Sequence, residues 1–142
     1  MLKYEVAEHC TCQKLRKAAR IITRRYDEAL KPTGIKGTQF TMLTTISIVD
    51  GDATLTDLAD YMGMERTTLI RNLKPLERDG LISISAEGFR RARSAEITEK
   101  GEETLKKALP IWSSTQQILK DELGEENWNI VHTGLGALTN VN

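Results

Sequence analysis

Hydrophobic residues along the chain fall into two spacings, and these divide it into elements. Leu15, Ala18, Ala19, Ile22, Tyr26, Ala29 and Leu30 recur every three or four residues. That is the spacing of one helix face, so residues 8 to 31 are predicted as a long amphipathic helix that ends before Pro32. The segment PTGIKG reads as a turn. Phe40, Leu43, Ile46 and Ser47 mark a second helix, stopped by Asp50-Gly51-Asp52. Thr56 is expected to cap a short third helix carrying Leu58, Ala59 and Met62, with Gly63 closing it. Leu69, Leu73 and Leu76 supply the buried stripe of the next helix, and Gly80 stands where a left-handed C-terminal cap belongs. Pro75 lies inside that helix, where a proline removes one hydrogen bond and bends the axis, so its expected role is structural.

The spacing then changes. LISIS and SAEIT alternate apolar and polar residues and are β-branched, which predicts two strands of a hairpin with AEGFRRAR at its tip. From Glu99 the helical spacing returns, through Leu105, Leu109, Trp112, Ile118 and Leu119, with a bend expected at Pro110. A last helix carries Trp128, Val131, Leu135 and Leu138. The fold class is therefore α+β and mainly α. One domain of residues 1–142 is expected, with a winged helix-turn-helix over about 37–98 between long helices at about 8–31 and 99–140.

At 142 residues, 39% hydrophobic and 28% charged, the chain can build one ordinary core. It contains no run of about eighteen apolar residues to span a membrane. The start MLKYEVAEHC lacks the apolar segment of a secretory signal, so a cytoplasmic location is expected. The net charge is zero, but its distribution is uneven. Between Lys14 and Lys31 the bases Lys14, Arg16, Lys17, Arg20, Arg24, Arg25 and Lys31 meet only Asp27 and Glu28. Bases lead again between Glu65 and Arg93. After Ser94, acids such as Glu102, Glu103, Asp121, Glu122, Glu125 and Glu126 dominate. A neutral protein with this pattern can carry a basic face.

Two short helices joined through Gly63 and followed by a hairpin have a known physical use. The second helix of such a pair fits the major groove of DNA, where short hydroxyls and amides reach base edges or phosphates and arginine pairs with guanine. An arginine-bearing hairpin reaches the minor groove or backbone. For any single arginine, an ordinary solvated face is an equal reading. A winged helix used solely for protein contacts is the alternative function. Neither His9 nor His132 has a nucleophile partner visible in sequence, and no phosphate-cradling glycine loop or spaced metal cluster occurs. No catalysis, metal or cofactor is expected.

The segment TLTDLADYMGMERTTLIRNLKPLERDGLI, followed by an arginine wing and EITEKG, resembles the multiple-antibiotic-resistance regulator (MarR) family of winged-helix repressors. The resemblance covers nearly the whole chain. It implies a homodimer joined through the terminal helices, binding a pseudo-palindromic double-stranded DNA operator and released by an effector. By position it places Arg66, Thr67, Thr68, Arg71, Asn72 and Lys74 on the recognition helix and Arg90, Arg91 and Arg93 on the wing, with Thr56 on the preceding helix as a further DNA contact. This chain has Phe89 where the family often has an aspartate supporting the wing arginine.

The HCTC motif at residues 9 to 12 allows several readings. On one helix, residues two apart point about 200° away from each other, which speaks against a shared metal or an internal disulfide for Cys10 and Cys12. Inert thiols and a redox sensor remain. Within the family, the branch of organic hydroperoxide regulators carries a reactive cysteine fourteen residues before a tyrosine, a spacing that Cys12 and Tyr26 share. The second tyrosine expected near that cysteine is replaced by Arg16, a cation that favours a thiolate. The effector implied is a small aromatic compound or a hydroperoxide, with Cys12, Arg16, Tyr26 and Trp112 as candidate residues. Core or dimer packing is the other reading for Trp112.

Overall fold

A computed structural model of the chain describes residues 1–85 and 93–141. Seven α-helices and a hairpin follow one another: α1 Leu2–His9, α2 Thr11–Leu30, a 3-10 turn Lys31–Thr33, α3 Gly37–Val49, α4 Leu55–Met62, α5 Arg66–Arg78, β1 Ile82–Ile84, β2 Ala95–Ile97, α6 Glu99–Leu123 and α7 Glu125–Leu138. The core lies where α3, α4, α5 and the start of α6 meet. Leu43, Ile46, Leu55, Leu58, Leu69, Leu73 and Leu76 are all at most 2% exposed there. Burying each such side chain contributes roughly 1.5–3 kcal/mol. The predicted stripes of α4 and α5 are therefore the buried ones.

Two glycines set the helix-turn-helix. Gly63 ends α4 at φ 64°, and the following Met64 N–H returns to the Ala59 carbonyl at 2.8 Å. Gly80 ends α5 at φ 74°, with Leu81 N–H returning to Leu76 at 2.9 Å. A Cβ at either position would meet a backbone conformation that side chains rarely adopt. Pro75 does not end α5, which runs on to Arg78. Pro110 likewise lies within an unbroken α6.

The hairpin is antiparallel, pairing Ile82 with Ile97, Ser83 with Glu96 and Ile84 with Ala95. Ser85 and Ser94 continue it, and Thr54 adds a bridge to Ser94 while Leu55 N–H donates to the Arg93 carbonyl at 2.9 Å. The wing base is thus tied to the first turn of α4. At its other end, the Thr98 hydroxyl donates to the Gly80 carbonyl at 2.6 Å and accepts from Gly101 N–H at 3.1 Å. One side chain joins the end of α5 to the start of α6. Gly101 permits this approach, because a Cβ there would lie 2.2 Å from the Leu81 carbonyl oxygen.

Two expectations are corrected. The first helix does not run from residue 8 as one piece: Cys10 is extended at ψ 110° and separates α1 from α2. The apolar stripe begins only at Leu15, and α1 buries nothing, so no packing holds the two in register. The cap of α4 is Thr54 rather than Thr56. Thr54 Oγ1 accepts from Asp57 N–H at 3.1 Å, and the Asp57 carboxylate accepts from Thr54 N–H at 2.9 Å. The reciprocal pair needs an acid three residues after the cap, which Thr54 has and Thr56 lacks. Those hydrogen bonds hold the Asp57 carboxyl below its ordinary range. Thr54→Ala is expected to cost about 1 kcal/mol in urea unfolding and Thr56→Ala less than about 0.5 kcal/mol; equal losses would contradict the assignment.

Candidate nucleic-acid interface and adjoining cavity

Helix α5 presents one face to the core and the other to solvent. With Leu69, Leu73 and Leu76 buried, Thr67, Arg71, Lys74 and Arg78 fall at intervals of three and four on the outer side, and all four are exposed. Arg78, in the last turn, belongs to this row although the sequence argument omits it; the same periodicity finds it. Its guanidinium rests 3.1 Å from the neighbouring Asp79 carboxylate. Arg66 is exposed at the first position of α5, and Thr68 is half-buried. Asn72 leaves the row: it lies about 100° from Arg71 around the helix, and its amide donates to Met64 Sδ at 3.8 Å. Thr56 is exposed in the first turn of α4. Arg93 is half-buried at the wing base, whereas Arg90 and Arg91 lie outside the described residues. The structure therefore brings a basic helix face and the root of a wing together on one rigid unit.

A second feature lies beneath. Ile22, Thr23 and Tyr26 of α2, Gly37, Thr38, Phe40 and Thr41 of α3, and Trp112 of α6 line a cavity of about 270 Å³. Phe40 and Trp112 stack with centroids 6.1 Å apart and planes 23° from parallel. The Tyr26 hydroxyl donates to Gln116 Oε1 on α6. Six residues further along α6, Glu122 is gripped by both terminal guanidinium nitrogens of Arg25, Nη2 to Oε1 at 2.9 Å. Asp27 accepts from Gly37 N–H at 2.8 Å. These contacts fasten the C-terminal half of α2 to α3 and α6. The lining is apolar and aromatic with hydroxyls at its edge, the composition of a site for a small aromatic molecule.

The four candidate effector residues divide into two places. Tyr26 and Trp112 share the cavity. Cys12 and Arg16 line a separate concavity with Cys10, Gln13 and Arg20. Fourteen residues of helix put Cys12 about 21 Å from Tyr26 along the axis. Because Cys10 is extended and not helical, the argument from opposite helix faces does not apply to the two cysteines. Both thiols are free, with Cys10 half-buried and Cys12 exposed. Among the described residues no group of His, Cys, Asp and Glu is arranged to hold a metal ion, and no helix is long and apolar enough to cross a membrane.

A helix pair capped by glycines, a wing rooted beside it and long flanking helices define a winged helix-turn-helix protein. The model of the MarR family matches residues 33–92. The transcriptional regulator MosR of M. tuberculosis is 37% identical, over 93% of this chain and 98% of that one, with a TM-score of 0.76. The structure of MosR in complex with DNA gives 37% identity over 92% and 98% of the two chains, with a TM-score of 0.77. The transcriptional repressor CouR bound to p-coumaroyl-CoA shares the fold at 21% identity and a TM-score of 0.84, over 97% of this chain and 96% of that one. The chain belongs to the MarR family of transcriptional regulators.

The cavity yields a test. Burial pushes the Tyr26 phenol above the ordinary tyrosine range, whereas Tyr4 and Tyr61 are 78% and 80% exposed. A raised folded-state value favours the native state fully below the ordinary range, and that contribution is lost as pH rises through the raised value. Ultraviolet titration should show one late-ionising phenol that Tyr26→Phe removes; if Tyr26→Phe removes an early one, the buried hydroxyl is misassigned.

Proposed function

We propose that the protein is a dimeric, sequence-specific DNA-binding transcriptional regulator that represses by occupying a pseudo-palindromic operator and is released by an effector. The observation that carries this reading is the outer face of α5, where Thr67, Arg71 and Lys74 stand clear of the core beside the wing root. MosR has been crystallised in complex with DNA, which supports the same use of the face here. Arg71 is assigned to base readout, Lys74 and the wing arginines Arg90, Arg91 and Arg93 to phosphates or the minor groove, and Thr67 and Thr68 to hydroxyl contacts. Arg66 and Thr56 flank them. Asn72 is placed at the edge of this surface.

The dimer is assigned to the terminal helices. No residue of α7 is buried within its own chain, and Ile130, Val131, Leu135 and Leu138 remain 42–61% exposed. An apolar helix left open in this way supports a second copy as its cover. Two-fold symmetry then sets the recognition helices roughly 34 Å apart, one turn of DNA. The Tyr26 and Trp112 cavity is assigned to a small aromatic effector. CouR was crystallised with p-coumaroyl-CoA, so a MarR-like fold can hold an aromatic ligand. Occupation of the seam between α2, α3 and α6 would rotate the lobes and misplace one recognition helix relative to the other.

A second switch is favoured by the concavity that gathers Cys10, Cys12, Arg16 and Arg20. There a Cys12 thiolate attacks the terminal oxygen of a hydroperoxide, an S–O bond forms as the O–O bond breaks, the peroxide proton leaves with the alkoxide as an alcohol, and the sulfenate left behind takes a proton from water to become a sulfenic acid. Cys10→Ser should then lose operator affinity after hydroperoxide and regain it with a thiol reductant, whereas Cys12→Ser should show no loss that a thiol reductant reverses; identical thiol-reversible losses would remove Cys12 as the sensor.

Fluorescence anisotropy on DNA from upstream of the protein's own gene tests the main reading, with sedimentation of the same samples reporting the dimer. Binding should weaken steeply with salt. Arg71→Ala should cost about 1–3 kcal/mol on operator DNA and relax one base preference. Equal losses on operator and random DNA would make Arg71 a phosphate contact, and salt-independent binding or a monomer at working concentration would remove the model.

A further inference from the structure

The four methionines occupy different settings. Met42 is 2% exposed within the core, and Met1 is 98% exposed at the tip of α1. Met62 and Met64 are half-buried, each with part of its chain against the core. Only for Met64 does a polar group approach the sulfur among the described residues: Asn72 Nδ2 donates to Sδ at 3.8 Å. Met64 follows Gly63 in the turn that sets α4 against α5, and Asn72 is exposed beside the outer face of α5. The half-buried Met64 side chain therefore lies where the core, the turn and the edge of the proposed DNA-reading surface meet.

We propose that Met64 is an oxidation site through which organic hydroperoxides lower DNA affinity, independently of the cysteines. The sulfur lone pair attacks the terminal peroxide oxygen and an S–O bond forms as the O–O bond breaks. The hydroperoxide proton passes to the departing alkoxide, which leaves as an alcohol. Sulfur is oxidised by two electrons and the peroxide is reduced by two. The product changes the contact with Asn72. A thioether is a weak acceptor, whose bond to the amide yields readily to a base or phosphate; a sulfoxide oxygen is a strong acceptor. It holds the Asn72 amide towards the turn. It also places a polar group where the methionine side chain packed against α4 and α5, which loosens the seating of the recognition helix.

The DNA readout rests on the function proposed above, so a second readout that needs no DNA accompanies it. The full-length Cys10→Ser/Cys12→Ser protein, which removes thiol chemistry, is treated with cumene hydroperoxide. Fragment mass spectrometry should place one added oxygen on Met64, and the side-chain amide resonances of Asn72 should shift. Operator affinity should fall about fivefold, the scale of one hydrogen bond, and return with methionine sulfoxide reductase. Met64→Leu in the same background, a swap of similar volume, should retain its affinity through the treatment. Absence of the sulfoxide at Met64, an unmoved Asn72 amide, or an equal loss in Met64→Leu would each overturn the proposal. A protein that binds no operator before treatment refutes the DNA reading instead, and the Asn72 resonances then decide the Met64 contact.

Discussion

A single hydroxyl bridges the end of α5 and the start of α6. Thr98 bonds the last carbonyl region of α5 through Gly80 and the first turn of α6 through Gly101, while its own N–H donates to the Leu81 carbonyl at 3.1 Å. Around this junction Leu81 and Ile82 are buried and Gly101 has no room for a side chain. Packed interiors transmit displacement because they have little free volume to absorb it. A turn of α6 about its axis therefore cannot leave α5 where it was. The wing shares the same frame through β2, which runs directly into Thr98, and through the bridge from Thr54 to Ser94.

Helix α6 is in turn held unequally. Its first half packs on α3 and the core, and its second half meets α2 through Tyr26 with Gln116 and Arg25 with Glu122. The ion pair is open to water, with side chains 38% and 54% exposed, so it adds geometry more than stability. The cavity lies between these two attachments, at the point where α2, α3 and α6 diverge. Its lining comes from α2, α3 and α6, with no residue of α4 or α5.

Much of this was legible in the residues. The stripes of α4 and α5 and the two left-handed glycines follow from spacing alone, and the hairpin follows from alternation. Capping needed a finer reading: two threonines stand two residues apart, and only the acid at Asp57 distinguishes them. The break at Cys10 had no local sign, since HCTC contains neither proline nor glycine; what ends the helix there is the lack of an apolar face for α1 to bury. Asn72 was read with its neighbours because it is polar and adjacent to Arg71, yet one residue on a helix is about 100° of rotation, enough to turn it towards Met64. Tyr26 and Trp112 stand far apart in the sequence, and only the fold shows that they line one cavity. The reach of Arg90 and Arg91 lies outside the described residues.

Helix α7 differs from every element of the core in one respect: none of its residues is buried within the chain. If the second copy proposed above is its cover, the order of α7 depends on an encounter and therefore on how many copies are present. Dilution would act on it as warming acts on an ordinary helix. A regulator assembled in that way would count its own abundance, and the number of copies in a cell would become a variable of the fold itself.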